Sequence, residues 1–111
     1  MEARAIAKYI RVSPLKAKRV ADLIRGKDYQ RALDICNLTT TKPSKEFSKV
    51  LRSAAANAEN NHDMDVSRLY VHSVSANQGP TLKRMRARSH GRGTIILKRS
   101  SHLEVILKER E

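Results

Sequence analysis

The sequence predicts an α+β fold: three helices packed on a small antiparallel sheet, with a long protruding basic β-hairpin. Apolar residues recur at helical spacing in three separate stretches between residues 14 and 61. Strand-like patterns precede and follow these stretches, and Gly and Pro punctuate a basic segment near the C-terminal end. Elements in the order strand, three helices, then strands are typical of α+β domains.

The length of 111 residues is enough for a single domain. We expect residues 1–78 and 104–111 to form a globular body and residues 79–103 to form an extended hairpin. About eighty-five residues would then build the core, which leaves a thin margin of stability. Binding to a large partner would stabilise such a body by mass action.

A first strand is predicted over residues 3–10, and the first helix follows it. Ser13 is a good N-cap, Pro14 suits the first helical position, and Gly26 supplies the C-terminal stop. The buried stripe of this helix is predicted to be Ala17, Val20, Ala21 and Ile24. The opposite face is cationic, and it is either an ordinary solvated face or part of a contact surface.

A second helix is predicted from Asp28, and a third from Pro43 to about Asn61. The second would bury Tyr29, Ala32, Leu33 and Cys36. The third would bury Phe47, Val50, Leu51, Ala54, Ala55 and Ala58. Because the alanines are small, a neighbouring element can approach the third helix closely.

Residues 60–63 are predicted to form a turn, and residues 68–76 a strand that leads into the hairpin. His62, Asp63 and Asp65 suggest a metal site, but their spacing matches no calcium-loop or zinc template, and a polar turn explains them better. After the hairpin, Leu103, Val105 and Leu107 alternate with Glu104, Ile106 and Lys108, which indicates a half-buried strand.

The segment GPTLKRMRARSHGRGTIILKRSSHL, residues 79–103, holds seven Lys or Arg and no Asp or Glu. Gly79-Pro80 blocks a helix at its start, and Gly91 and Gly93 interrupt one in the middle. We therefore predict strands over residues 82–88 and 94–97, with the tip near residues 89–93. The alternative is a solvated, flexible basic tail. Mutual repulsion makes an isolated cationic ribbon marginal, so we expect order chiefly against an anionic partner.

The net charge is +12, from 23 Lys plus Arg against 11 acidic residues, which is typical of nucleic-acid binders. Two basic regions flank a nearly neutral middle. The hairpin contains no aromatic residue, so phosphate and shape recognition is expected rather than sequence-specific stacking. Met85 and His90 would either pack against unpaired bases or simply be exposed.

Several function classes are disfavoured by the residues present. Cys36 is the single cysteine, which excludes an intramolecular disulfide and a cysteine zinc cluster, and it is expected to be a small buried residue. The four histidines are scattered and there is no glycine-rich phosphate loop, so we expect no enzyme, no cofactor, no metal and no small-molecule substrate. The sequence has no membrane-spanning run and no signal-peptide opening, which predicts a reducing, cytosol-like compartment.

The residues also carry a resemblance to a known family. The most specific part is Lys83, Arg88-Ser89, Gly91-Arg92 and His102-Leu103 at their spacing, supported by RVSPLKAKRVADLIRGK, SAAANAENN and GPTLKRMRARSHGR. Over nearly all of its length the chain resembles the twenty-second protein of the large ribosomal subunit in its bacterial form. The resemblance implies a cytoplasmic, structural ribosomal protein without enzymatic activity. It would bind large-subunit rRNA early in subunit assembly and adjoin neighbouring ribosomal proteins.

The resemblance also implies where contacts lie. The expected RNA-binding residues are Arg11, Ser13, Lys16, Lys18, Arg19, Arg25, Lys27, Lys83, Arg84, Arg86, Arg88, Arg92, Lys98, Arg99 and His102. The tip that would line the nascent-peptide exit tunnel, and so meet the nascent peptide, is Lys83, Arg84, Met85, Arg86, Ala87, Arg88, Ser89, His90, Gly91 and Arg92. Family changes around residues 82–84 alter macrolide sensitivity. Many bacterial members have proline where this chain has Ala87, so the tip curvature is not fixed by the resemblance.

One rival class remains from the residues themselves. A DNA-bending architectural protein also combines a helical body with basic β arms. Such arms usually carry an apolar wedge at the tip, whereas residues 89–93 read Ser-His-Gly-Arg-Gly. A preference for bent duplex DNA over large-subunit RNA would favour this alternative.

Overall fold

The computed structural model describes residues 2–87 and 93–110, with side chains described for 2–81, 83 and 99–110. The helices are α1 (Pro14–Ile24), α2 (Tyr29–Leu38) and α3 (Lys42–His62), followed by a short 3₁₀ helix (Val66–Arg68). The strands are β1 (Glu2–Ile10), β2 (Leu69–Gln78), β3 (Leu82–Ala87), β4 (Gly93–Lys98) and β5 (Ser101–Glu109). The order of elements agrees with the predicted α+β fold.

The larger sheet is antiparallel with strand order β1-β5-β2. Its central strand β5 pairs Val105 with Ala5 on one side and with Val74 on the other. Leu103, Val105 and Leu107 are fully buried, as their alternation predicted. We call this sheet and the three helices the body.

The three helices cover one face of the larger sheet, and α3 contacts both β1 and β5. All six predicted stripe residues of α3 are buried, with Phe47, Leu51, Ala54 and Ala58 completely so. The predicted stripe of α1 is buried as well, while Leu33 of α2 is only partly buried. The helical face thus supplies most of the apolar core, as the periodicity indicated.

The start of α1 follows its sequence signals closely. Ser13 is the N-cap, and its Oγ accepts a hydrogen bond from the Lys16 N–H at 3.4 Å. Pro14 occupies the first helical position. Gly26, just past the helix, has φ +79°, a left-handed conformation that glycine adopts without steric cost.

The end of α3 at His62 agrees with the predicted end near Asn61, but the turn predicted over residues 60–63 differs, since residues 60–62 are helical. Asp63 takes the left-handed conformation instead, with φ 51°. The Met64 N–H then donates to the Ala58 carbonyl at 3.0 Å, and the Met64 side chain is buried. Burial of Met64 fixes where the chain reverses, and the asparagines therefore remain within the last helical turn.

The second sheet is the predicted hairpin, formed by β3 and β4. Six residue pairs define its register, from Leu82 with Lys98 to Ala87 with Gly93. Residues 88–92 lie outside the described residues, so the predicted tip is not assessed. β3 and β4 contact each other extensively, and within the described ranges neither has extensive contacts with the body. The radius of gyration is 16.9 Å, compared with roughly 13 Å for a compact chain of this length.

The junction between body and hairpin lies nearer to the tip than predicted. Residues 101–103, which we had assigned to the hairpin, belong to β5 and pair with both β1 and β2. The reason is visible at Ser101, which is fully buried and donates its hydroxyl to the Val12 carbonyl at 2.6 Å. This internal partner holds the start of β5 in the body.

Candidate nucleic-acid interface

The predicted contact residues occupy two parts of the described structure. Seven of them lie on or beside α1, and all but the partly buried Ser13 are exposed: Arg11, Ser13, Lys16, Lys18, Arg19, Arg25 and Lys27. Lys83 and Arg99 are exposed on the hairpin side, and His102 is partly buried. Arg84, Arg86 and Lys98 lie on β3 and β4, where only the backbone is described, and Arg88 and Arg92 lie outside the described residues.

The predicted tip is described only in part. Lys83, Arg84, Met85, Arg86 and Ala87 have extended backbone within β3. The backbone of Arg84 is therefore strand and not helix, as the glycine and proline positions predicted. The other five tip residues, Arg88, Ser89, His90, Gly91 and Arg92, fall outside the described residues.

The exposed cations divide into two groups according to whether a carboxylate lies within reach. Six of the predicted residues form no ion pair with any residue in the described ranges: Arg11, Lys16, Lys18, Arg19, Lys27 and Arg99. Other cations, which were not predicted contact residues, also form no ion pair within the described ranges: Lys8, Arg31, Lys42, Lys45 and Arg52. Some surface cations do have carboxylate partners. Lys49 pairs with Glu46 at 3.8 Å, and Lys108 pairs with Glu2 at 4.0 Å.

Arg25 differs from these six residues because its guanidinium has a carboxylate partner. One terminal nitrogen of its guanidinium donates to the Asp22 carboxylate at 2.6 Å. The other donates to the backbone carbonyl of Val74 at 3.0 Å. Arg25 therefore ties α1 to β2, a structural role that its position in the sequence did not reveal.

Four of the predicted residues surround one groove at the start of α1. Arg11, Ser13, Lys16 and Arg19 line it, together with residues of the α2–α3 connection and the start of α3. The volume of this groove is about 580 Å³. Lys42 of α3 adds a fourth cation, and no Asp or Glu is among the lining residues. We call this the α1–α3 groove.

Sequence reasoning missed the α3 side of the α1–α3 groove. Thr39, Thr41 and Lys42 line this side of the groove and were not among the predicted contact residues. Thr39 donates its hydroxyl to the Ile35 carbonyl at 2.8 Å, which holds the connection close to α2. These residues lie close to Lys16 and Arg19 only because of how the helices pack. No local sequence pattern indicates this proximity.

A second group of residues forms the neck, where the hairpin leaves the body: Tyr9, Gly79, Pro80, Ser100 and His102. The Gly79 N–H donates to the Ser100 carbonyl at 2.9 Å. The Ser100 hydroxyl donates to the Pro80 carbonyl at 2.7 Å. A Cβ at Gly79 would lie 2.7 Å from the Ser100 Oγ, closer than such atoms can approach. Any larger residue at position 79 would therefore force the Ser100 hydroxyl to move.

His102 is anchored within the neck by Tyr9. The Tyr9 N–H donates to Nδ1 of His102 at 3.1 Å, and the two rings meet edge to face with centroids 5.0 Å apart. Since Nδ1 is an acceptor, the neutral ring carries its proton on Nε2. Tyr9 itself has φ 59° at an irregularity of β1 and is largely exposed, a feature that the sequence did not predict.

Of the residues that suggested a metal site, Asp65 caps the short 3₁₀ helix instead. The Asp65 carboxylate accepts hydrogen bonds from the Ser67 N–H at 3.0 Å and the Ser67 hydroxyl at 2.7 Å. These bonds lower the pKa of Asp65. No group of metal-ligating side chains was found in residues 2–87 and 93–110. The same ranges contain no helix long and apolar enough to cross a membrane.

Cys36 lies in the apolar interior, as predicted, and is a free cysteine. Burial raises the pKa of its thiol to about 11. At neutral pH the thiol is therefore protonated and unreactive.

Comparison with known proteins identifies the family. A family model described as "Ribosomal protein L22p/L17e" matches residues 5–108. The chain is 53% identical to the large ribosomal subunit protein uL22 of Clostridioides difficile over the whole of both chains. It is 55% identical to the protein of the same name from Carboxydothermus hydrogenoformans and 54% identical to that of Halothermothrix orenii, over all of this chain and 98% of each relative. The chain belongs to the ribosomal protein L22p/L17e family.

Membership of the L22p/L17e family confirms the resemblance inferred from the residues. The matched range includes the α1–α3 groove, the neck and the hairpin. The uL22 relatives are named as ribosomal proteins and not as enzymes or DNA-bending proteins. The DNA-bending alternative therefore receives no support.

Proposed function

We propose that this protein is a structural, non-enzymatic constituent of the large ribosomal subunit that binds large-subunit rRNA through phosphate and shape contacts and supports subunit assembly. Its relatives are named large ribosomal subunit proteins. The observation that carries the RNA-binding part is the group of exposed cations without carboxylate partners around α1. Folded RNA supplies the phosphates that would neutralise them and releases its counterions on binding.

The contact residues on the body would be Arg11, Ser13, Lys16, Lys18, Arg19, Arg25 and Lys27, with Arg99 and His102 near the neck. Arg25 would contribute least, because its guanidinium is already held by Asp22 and Val74. His102 would contribute through Nε2, since its Nδ1 is bonded to Tyr9. These cations surround the part of α1 that faces away from the apolar core.

The hairpin would contribute Lys83, Arg84, Arg86, Arg88, Arg92 and Lys98. A two-stranded ribbon is narrow enough to enter crevices between RNA helices that the body cannot reach. We propose that its tip, residues 83–92, lines the nascent-peptide exit tunnel and meets the nascent peptide there. Changes near residues 82–84 would then alter macrolide sensitivity. The acid-free composition of residues 79–103 supports this placement against RNA.

We further propose that the chain is a single domain consisting of the body and the hairpin. The two sheets, one of three strands and one of two, support the division. The neck hydrogen bonds at Gly79 and Ser100 would set the direction of the hairpin relative to the body. Neighbouring ribosomal proteins would adjoin the surfaces that RNA leaves uncovered.

Gradient sedimentation with RNA crosslinking tests the ribosomal assignment. We expect the protein in cell extract to sediment with large subunits and to crosslink to their rRNA. Recovery away from large subunits, or crosslinks only to DNA, would contradict the assignment.

Salt titration tests the phosphate contacts. Replacing Lys16, Lys18 and Lys27 by Gln should reduce the slope of log affinity against log salt by about 2–3, since each lost phosphate contact removes about 0.7–0.9. The control replaces two lysines that already have carboxylate partners, Lys49 and Lys108, and should leave the slope nearly unchanged. Equal effects per substitution in the two sets would show that any surface lysine contributes.

A further inference from the structure

We propose that the α1–α3 groove binds one unpaired nucleotide of RNA, with the base against its apolar floor and the phosphates at its cationic rim. This inference rests on the proposed RNA-binding function and adds a specific site to it.

The shape and floor of the groove suit a small planar group. Its volume of about 580 Å³ lies within the roughly 300–1,000 Å³ typical of ligand sites. Val12, Val20, Leu23 and Pro43 supply the apolar part of the lining. Val12 and Val20 are buried beneath, whereas Leu23 is 50% exposed and leaves apolar surface open to solvent. An occupant that covers Leu23 would remove this surface from water.

The rim favours an anion. Arg11, Lys16, Arg19 and Lys42 are all exposed, and no carboxylate lines the groove. None of the four forms an ion pair in residues 2–87 and 93–110. Four cations around one opening repel each other, and a phosphate group would relieve that repulsion. The two arginines also offer guanidinium planes on which a base can stack.

Hydroxyl groups at the edge of the groove provide polar contacts for a base or ribose. Ser13 accepts from the Lys16 N–H, which leaves its own O–H available to donate. Thr39 donates to Ile35 and retains lone pairs that can accept. Donors and acceptors on one side of the groove match the polar edge of a base or ribose, and the apolar carbon on the other side matches the face of the base. A simple phosphate has no such apolar face.

A smaller groove on the body lacks this combination. It has a volume of about 230 Å³ and is lined by residues of β1 and α3, among them Glu46 and Lys49. Lys49 and Glu46 pair with each other, so that groove presents no uncompensated cation. The contrast favours an anionic occupant for the α1–α3 groove. A duplex would contact the rim through phosphates but leave the floor uncovered, and this favours an unpaired nucleotide.

The test compares two Leu→Lys variants of the full chain that both add one positive charge to α1. Leu15→Lys changes a residue that is 66% exposed and does not line the groove, whereas Leu23→Lys changes the floor. The probes are a single-stranded RNA hexamer, a duplex of the same sequence and hexaglutamate. Affinity is measured by fluorescence anisotropy, groove occupancy by the methyl resonances of Val12, Val20 and Leu23, and folding by circular dichroism.

We expect Leu15→Lys to strengthen single-strand binding and Leu23→Lys to weaken it severalfold despite the added charge, because floor contact is lost. The wild-type methyl resonances should shift with the single strand and not with the duplex. The pair Arg11→Gln and Arg19→Gln should together weaken single-strand binding by about tenfold or more. The matched control Lys49→Gln should change it less than twofold.

Equal strengthening by the two lysine variants, or unmoved methyl resonances, would overturn the nucleotide site while leaving RNA binding intact. If the methyl resonances shifted with hexaglutamate and with neither RNA, the groove would bind an acidic protein segment, and the nucleotide proposal would be overturned. Loss of RNA binding altogether in the wild-type protein would instead contradict the proposed function itself, and the nucleotide site with it.

Discussion

The body and the hairpin are stabilised in different ways. The body buries a continuous apolar core and places several of its surface cations beside carboxylates. The hairpin and its flanking residues, 79–100, contain seven cations and no acidic residue, and β3 and β4 rely mainly on pairing with each other. One region is therefore stabilised by its own interior, whereas we expect the other to become stable chiefly against an anionic partner.

Removing the centre of the body's core should have the largest effect. Phe47 is fully buried on α3, and Phe47→Ala should lower the free energy of unfolding by about 3–5 kcal/mol. Because a body of this size has only a few kcal/mol to lose, we expect most of the free protein to unfold, as measured by urea denaturation. A change below about 1 kcal/mol would contradict the view that this core stabilises the chain.

Replacing the hairpin should weaken RNA binding without unfolding the body. Substituting residues 82–98 by a short Gly-Ser turn removes six cations and should leave the body's thermal transition nearly unchanged. The salt slope of rRNA binding should fall by up to about 5, and incorporation into subunits should weaken. Circular dichroism and affinity at several salt concentrations measure the two effects. Unfolding of the body would show that the two regions are not separable.

The neck sharpens the comparison because it joins the two regions. Gly79→Ala would bring a Cβ within 2.7 Å of the Ser100 Oγ and displace the hydroxyl from the Pro80 carbonyl. We expect a loss of about 1–2 kcal/mol in the free energy of unfolding. In a Ser100→Ala background the same change should cost less, because the clashing atom is absent, and a double-mutant cycle measures the difference. If the free-energy changes of Gly79→Ala and Ser100→Ala were additive, the contact with the Ser100 Oγ would not be the cause of the destabilisation.

Cys36 offers a smaller test within the body alone. Its raised pKa means that the folded state holds the thiol proton more tightly than the unfolded state does. Stability should therefore fall as the pH rises from about 9 to about 11, and this fall should be absent in Cys36→Ala. Alkylation of the native protein at neutral pH should be slow. Rapid alkylation would contradict burial of the thiol.

The two regions also differ in how much the sequence could predict. The buried stripes of α1 and α3 follow from helical spacing together with Ser13, Pro14 and Gly26, so local patterns were sufficient. The presence of strands β3 and β4 follows from glycine placement and strand propensity in the same way.

Features that join distant segments could not be predicted locally. The link from Arg25 to Val74 spans 49 residues, and the α1–α3 groove depends on the approach of Lys42 to α1. Asn60 and Asn61 favour turns by propensity, but burial of Met64 extends α3 past them. In each case tertiary packing determines the structure, and local sequence preference is not sufficient to predict it.

Lysine acetylation footprinting tests the central claim most directly, namely that the cations without carboxylate partners form the RNA contact. Acetylation of each lysine is compared by mass spectrometry in the free protein and in its complex with large-subunit rRNA. We predict strong protection of Lys16, Lys18 and Lys27, with Lys49 and Lys108 as reactive as in the free protein. Equal protection of both sets, or protection of Lys49 and Lys108 alone, would contradict the claim.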